Sequence, residues 1–295
     1  MDQPIIDAHH HLWRLDAVPW LSGPPVPRIF GDYGPLRRDH GPEEFIALCR
    51  AEGVTRSVYI QINVAPDAEV AEVAWAQSVA DRHGFPHGIV GFADLAAPGL
   101  AAVLDVEGVH SGLRGIRQQL HWHATPLYRF AARPDVMRDP AWRRGLAELG
   151  RRGLAFELQV FAGQMADAAE LARAHPEVTF ILQHAGMLED RSAAGWTAWR
   201  QGMRGLATCP NVVSKLSGLG TFTHICSVEA WRPVVLETLA IFGPSRCLFG
   251  SNWPIETLWT SYPEIIRVVR ECLIGLTPAE RAAVLHDTAL RVYRL

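Results

Sequence analysis

The chain has 295 residues, 48% of them hydrophobic and 20% charged, a soluble globular balance that excludes a disordered chain. With 28 basic against 31 acidic side chains the net charge is −3, which gives no electrostatic footprint for nucleic acid or for an anionic membrane surface. No apolar stretch approaches a membrane span and no basic segment leads into an apolar one at the N-terminus, so the expectation is a cytoplasmic protein that binds neither nucleic acid nor membrane.

Short apolar runs alternate with amphipathic stretches along the chain. The runs, read as strands, are Pro4 to Ala8, Thr55 to Ile62, Gly88 to Leu95, Leu113 to Leu120, Leu154 to Phe161, Val178 to His184, Asn211 to Leu216 and Arg246 to Ser251. Helices are expected over Pro42 to Ala51, Asp67 to His83, Pro140 to Arg151, Gln164 to Ala174, Ser192 to Leu206, Val228 to Phe242 and Tyr262 to Leu273. A last helix, Pro278 to Leu285, opens on Thr277-x-x-Glu280, a capping box with proline at the first helical position. Alternating strands and helices call for a parallel sheet covered by helices. Eight units in this length, with no Gly-x-Gly-x-x-Gly or Walker loop, predict an α/β protein: one (β/α)8 TIM barrel over 1–295 with a long loop after the first strand.

That loop, Trp13 to about Gly41, is rich in proline and glycine and lacks periodicity. It follows strand one on the face where barrels carry chemistry, so Trp20, Tyr33, Arg37 and Arg38 are candidates for a wall or lid, against a plain surface loop. Five cysteines (Cys49, Cys209, Cys226, Cys247, Cys272) form no Cys-x-x-Cys pair and read as free thiols. There is a single lysine, Lys215, at the end of strand seven.

Three motifs end strands. The run Asp7-Ala8-His9-His10-His11 places His9 and His11 on one face and His10 on the other, and two inward imidazoles make half a metal site or a polar catalytic pocket. Gln183-His184-Ala185-Gly186 ends strand six, and Phe249-Gly250-Ser251-Asn252-Trp253-Pro254 ends strand eight. In order, these motifs resemble the amidohydrolase superfamily, and more narrowly its lactonase branch containing L-fuconolactonase, L-rhamnonolactonase, sulfomuconolactone hydrolase and pyrone dicarboxylate lactonase. Gly112 to Arg117 and Val213 to Gly218 match as well, and the likeness runs from Ile5 to Tyr293.

The resemblance implies metal or substrate-carbonyl contacts at His9, His11 and His184 and a substrate-binding arginine at Arg117. Two departures stand out: Gln159 occupies the place of a strand-five histidine ligand, and Asn252 that of the strand-eight aspartate. Asparagine has no titratable group near neutrality and cannot be a general base. The set favours a site without a required metal, although His9, His11 and His184 would accept a single Zn. His184 is then the first choice for water activation and Glu256 the second, with Glu157 a layer deeper. Lys215 is expected to reach the mouth and stabilise an oxyanion or a substrate carboxylate. Arg114 and Arg117 offer planar forks, while His121 and Trp253 offer ring walls.

The expected activity is hydrolysis of a lactone of a sugar acid or small carboxylated acid. The alternatives are a mononuclear zinc hydrolase or non-oxidative decarboxylase, or a catalytically silent barrel that binds a sugar acid. The expected partner is a small-molecule lactone, and a homo-oligomer is left open by the sequence.

Overall fold

The computed structural model describes residues 3–295. Eight parallel strands follow one another around the sheet: β1 Ile5–His10, β2 Val54–Ile60, β3 Gly88–Gly91, β4 Leu113–Ile116, β5 Ala155–Leu158, β6 Phe180–Leu182, β7 Val212–Leu216 and β8 Cys247–Phe249. The seam between β8 and β1 closes through the bridge of His10 with Trp253, with Asn252 N–H donating to the His9 carbonyl (2.8 Å) and His11 N–H to the Trp253 carbonyl (2.7 Å). This is the (β/α)8 barrel that the alternation predicts.

The helices are α1 Pro19–Ser22, α2 Pro42–Ala51, α3 Glu69–His83, α4 Leu100–Glu107, α5 Pro140–Arg151, α6 Met165–Ala174, α7 Ala193–Ala207, α8 Val228–Phe242, α9 Tyr262–Cys272, α10 Pro278–Ala282 and α11 Thr288–Tyr293. Local chemistry sets several ends. The Asp139 carboxylate accepts from the amides of Ala141 and Trp142 to start α5, and Thr277 and Glu280 form the expected capping box of α10. The last helix does not stop at Leu285: a π turn over Ala283–Asp287 joins α10 to α11. Helix α4 is absent from the sequence expectation because it is short and starts at Gly99 with no side-chain cap.

The ladders end before the apolar runs do, because the strands part as the barrel opens at its C-terminal end. Inside, Ile6, Ala8, Val58, Ala155, Val213 and Leu248 form an apolar layer toward the strand starts. Ala289 and Tyr293 of α11 pack against that layer and close the N-terminal end. A larger core lies between the outer strand faces and the helices. The segment after β1 builds a third cluster, in which Trp13, Val18, Leu21, Tyr33 and Leu36 pack on Ile62 and Ile255 at the opposite, C-terminal end. The four buried cysteines and the half-buried Cys226 are all free thiols. No helix of the described residues is long and apolar enough to cross a membrane.

Candidate active site

A cavity of about 540 Å³ opens among the C-terminal ends of the strands, within the range of small-molecule sites. Of the residues singled out from the sequence, His11, His184, Asn252, Arg117, Gln159, Trp20 and His121 line it.

The histidines reach the interior through an irregularity that period-two reasoning does not supply. Ile6 and Ala8 already face inward, so strict alternation would send His9 and His11 outward. A bulge between Asp7 and His10 adds one residue to β1 against β2 and turns the pair inward. The buried Asp7 carboxylate holds it, accepting from the amides of His9 (3.2 Å) and Ser251 (2.8 Å) and from the Tyr262 hydroxyl (3.1 Å). His10 goes to the outer face, stacked on Phe45 with ring centroids 3.9 Å apart.

His11 Nδ1 lies 2.7 Å from the Ile60 carbonyl. A carbonyl only accepts, so Nδ1 carries the proton and Nε2 keeps its lone pair. His184 stands on a left-handed turn, with φ of 54° there and 48° at Ala185, a costly backbone of the kind held at functional sites. Its Nδ1 meets Ser217 Oγ at 3.0 Å. A β-carbon at Gly218 would come within 2.4 Å of that ring nitrogen, so only glycine lets β7 approach so closely. His9 is wholly buried between the two, its ring 5.1 Å from His11 and 4.9 Å from His184, and neither of its nitrogens has a partner. Burial, and after it the positive charges of Lys215 and Arg117, holds all three imidazoles well below the usual histidine range. They are neutral at pH 7.

Arg117 is 4% exposed and donates to the Gln61 carbonyl, while its Nε–H has no partner. Burial lowers it only to about 10, so it stays charged. Beside it, Asn63, Gln119 and Gln159 form a wall of amides joined by hydrogen bonds of 2.9 and 3.3 Å. Asn63 and Gln119 escaped the sequence reading, although polar residues directly after β2 and β4 were the available signal. Arg28 and Arg129 also line the cavity and had no motif to mark them.

Several expectations are corrected. Lys215 does not open on the cavity; it is fully buried a layer below, its ammonium 2.8 and 2.9 Å from the two oxygens of Glu157. Glu157 sits on the inward face a layer below Gln159, as expected, and also accepts from Gln183 and Tyr293. An oxyanion role for Lys215 by direct contact is thereby lost. Glu256 is buried behind Asn252, accepting from Trp259 Nε1 at 2.8 Å, and burial pushes it up to about 8. Arg114 lies at the start of β4, toward the base, bonded to the carbonyls of Ser111 and Leu113. Trp253 packs outward on Phe45 and His40. Tyr33 supports Trp20 and Phe30 from behind, and of the loop's candidates only Trp20 lines the cavity.

The chain matches the family model described as Amidohydrolase over residues 6–295. This protein belongs to the amidohydrolase family. It is 40% identical to an uncharacterized protein of Sinorhizobium fredii, covering 100% of this chain and 99% of that one. It is 32% identical to an L-fucono-1,5-lactonase of Burkholderia multivorans, over 98% of this chain and 96% of that one. A crystal structure of an amidohydrolase from Burkholderia multivorans with bound Zn superposes with a TM-score of 0.82 at 30% identity, covering 99% of each chain.

The donors that a Zn would require are the imidazoles of His9, His11 and His184, with the His9 ring 5.1 and 4.9 Å from the other two. Among the described residues no three His, Cys, Asp or Glu side chains are arranged to hold a metal ion. Asn252 and Gln159 bring no charge, the Glu157 carboxylate is engaged by Lys215, and the imidazoles lie in the field of Arg117 and Lys215. A cation held there would have neutral imidazole donors and no anionic protein ligand, a set that leaves a metal optional.

Proposed function

We propose that the protein hydrolyses a lactone without a required metal. The observation that carries this reading is the floor of the cavity, where a neutral imidazole, His184, stands with the Arg117 guanidinium and the Asn252 amide. The likeness to an L-fucono-1,5-lactonase supports a lactone as the substrate class.

In this reading the lactone carbonyl oxygen lies toward Arg117, whose free Nε–H is a preorganised donor for the oxyanion of the tetrahedral intermediate. Water is held by Asn252 and by the lone pair of His11 Nε2. His184 takes the proton as water attacks the carbonyl carbon, with its Nδ1–H directed to Ser217. The C–O bond of the ring then breaks, and the imidazolium returns the proton to the leaving alkoxide, so that a hydroxy acid leaves. The positive field of Arg117 lowers His184 in the free enzyme; an oxyanion beside Arg117 offsets that field and raises the basicity of His184 as the proton arrives. Lys215 and Glu157 lie below and keep the floor in place.

The test is a pH-indicator assay over a panel of sugar-acid and carboxylated lactones. Turnover of at least one lactone above the spontaneous rate, abolished by Arg117→Met, is expected. Binding of the hydroxy acids with no lactone opened would leave the silent barrel as the better reading.

A further inference from the structure

The cavity's upper half is built from different material than its floor. Above the histidines the walls are Trp20, Phe30, Leu127, Phe130 and Phe222, contributed by the loops after β1, β4 and β7. Some of this apolar surface remains open at the rim, where Leu127 is 44% and Phe130 43% exposed. A sugar ring carries a hydroxyl on nearly every carbon, and each buried hydroxyl needs a partner. These side chains supply none beyond the indole N–H of Trp20, which already donates to the Ile62 carbonyl at 2.9 Å.

The charge is equally one-sided. Three arginines line the cavity, Arg28, Arg117 and Arg129, and among the described residues no carboxylate does. Elsewhere arginines are paired with Asp or Glu at the surface, whereas among the described residues no carboxylate lies within ion-pair distance of these three. Arg28 lies over Trp20 (5.1 Å to the ring centroid), and its Nε is buried without a partner. Arg129 lies over Trp122 (4.8 Å) with only the carbonyls of His123 and Ala124 to bond. Each guanidinium is thus stacked and oriented with donors to spare, the preparation that recognises a carboxylate. In a chain with a net charge of −3, such a pocket is a local inversion of sign.

Resting on the lactone-hydrolase reading, we infer that the substrate is an amphipathic anion: a lactone carrying an aromatic or alkyl body and a free acidic group, not a bare sugar lactone. The lactone lies on the floor at Arg117 and His184. The apolar body lies against Phe30, Phe130 and Phe222, and the free carboxylate meets Arg28 and Arg129 near the entrance.

Calorimetric binding tests this separately from turnover, with three probes on the wild-type protein: phenylsuccinate (a ring with two carboxylates), glucarate (two carboxylates on a hydroxylated chain) and 3-phenylpropanol (a ring without charge). Phenylsuccinate is expected to bind on the order of tenfold more tightly than either of the others. Arg28→Met and Arg129→Met, verified as folded by circular dichroism, each weaken phenylsuccinate about fivefold or more and leave phenylpropanol unchanged. Glucarate binding as tightly as phenylsuccinate, or phenylsuccinate binding indifferent to both arginines, overturns the inference. Tight, arginine-dependent phenylsuccinate binding by a protein that opens no lactone keeps this inference and removes the lactonase. Efficient opening of neutral sugar lactones with no preference for phenylsuccinate does the reverse.

Discussion

His184 and Glu256 are the two side chains that compete for the role of base, and their surroundings separate them. His184 faces the cavity as a neutral imidazole, whereas Glu256 is buried behind Asn252 and pushed up to about 8, so it is a protonated acid at pH 7. His184→Gln should therefore cost about 10²- to 10⁴-fold in kcat. Glu256→Gln copies the protonated carboxyl and should stay within about tenfold at pH 7 while altering the alkaline limb near pH 8. Steady-state pH profiles of both variants check this, and a reversed order would make Glu256 the base. Lys215 gives a second prediction at this scale. Lys215→Met strands the Glu157 carboxylate in the core, so it should destabilise by about 3–5 kcal/mol. Lys215→Met with Glu157→Gln should recover much of that, as read by chemical denaturation. Counting twos back from Gln159 puts Glu157 on the inward face, while the end of strand seven puts Lys215 at the mouth, a layer too high. The sequence did not reveal their meeting, because β6 intervenes and the contact depends on how strands tilt around the barrel.

At the scale of elements, every strand and most helix ends follow from apolar runs, prolines and caps near the chain positions that carry them. The features that aim the site are those that break the regular pattern. The bulge in β1 and the left-handed turn at His184 each override a periodicity, and neither has a local residue signature that forces it. The bulge instead depends on distant partners, Ser251, Tyr262 and the close passage of Gly250. A β-carbon on Gly250 would fall 2.5 Å from the His9 β-carbon and 2.9 Å from its amide nitrogen. Gly250→Ala should thus cost about 1–3 kcal/mol and lower kcat/KM by displacing His9 and Asn252. Gly205→Ala in α7, where a β-carbon meets nothing within 4 Å, should be neutral or stabilising. Denaturation midpoints and kinetics of the two variants provide the comparison, and equal behaviour would mean that the seam between β1 and β8 is slack.

For the whole molecule, the barrel and its charge pattern were largely legible, while the cavity was not, since its walls come from loops that lie far apart in sequence. Stability against pH follows from a different set of buried groups. Glu107 is wholly buried with neither oxygen bonded, and burial, with Glu72 and Glu69 next, pushes it up to about 8. Glu72 is likewise pushed up to about 7. A folded value above the ordinary 4.5 means that the stability is fully present below about 4.5 and is lost as pH rises through the folded value. Tm should therefore fall between pH 5 and pH 8 for these groups, and Glu107→Gln, which cannot ionise, should flatten the curve. Parallel curves for wild type and variant would remove Glu107 as a cause. The central proposal is catalysis by this chain's own side chains, Arg117 and His184 foremost. Its most direct test is lactone turnover by protein dialysed against chelator, with residual metal measured on the same sample by mass spectrometry. The kcat/KM is expected to persist at far less than one equivalent of metal; activity lost on dialysis and restored by one equivalent of Zn would overturn the proposal.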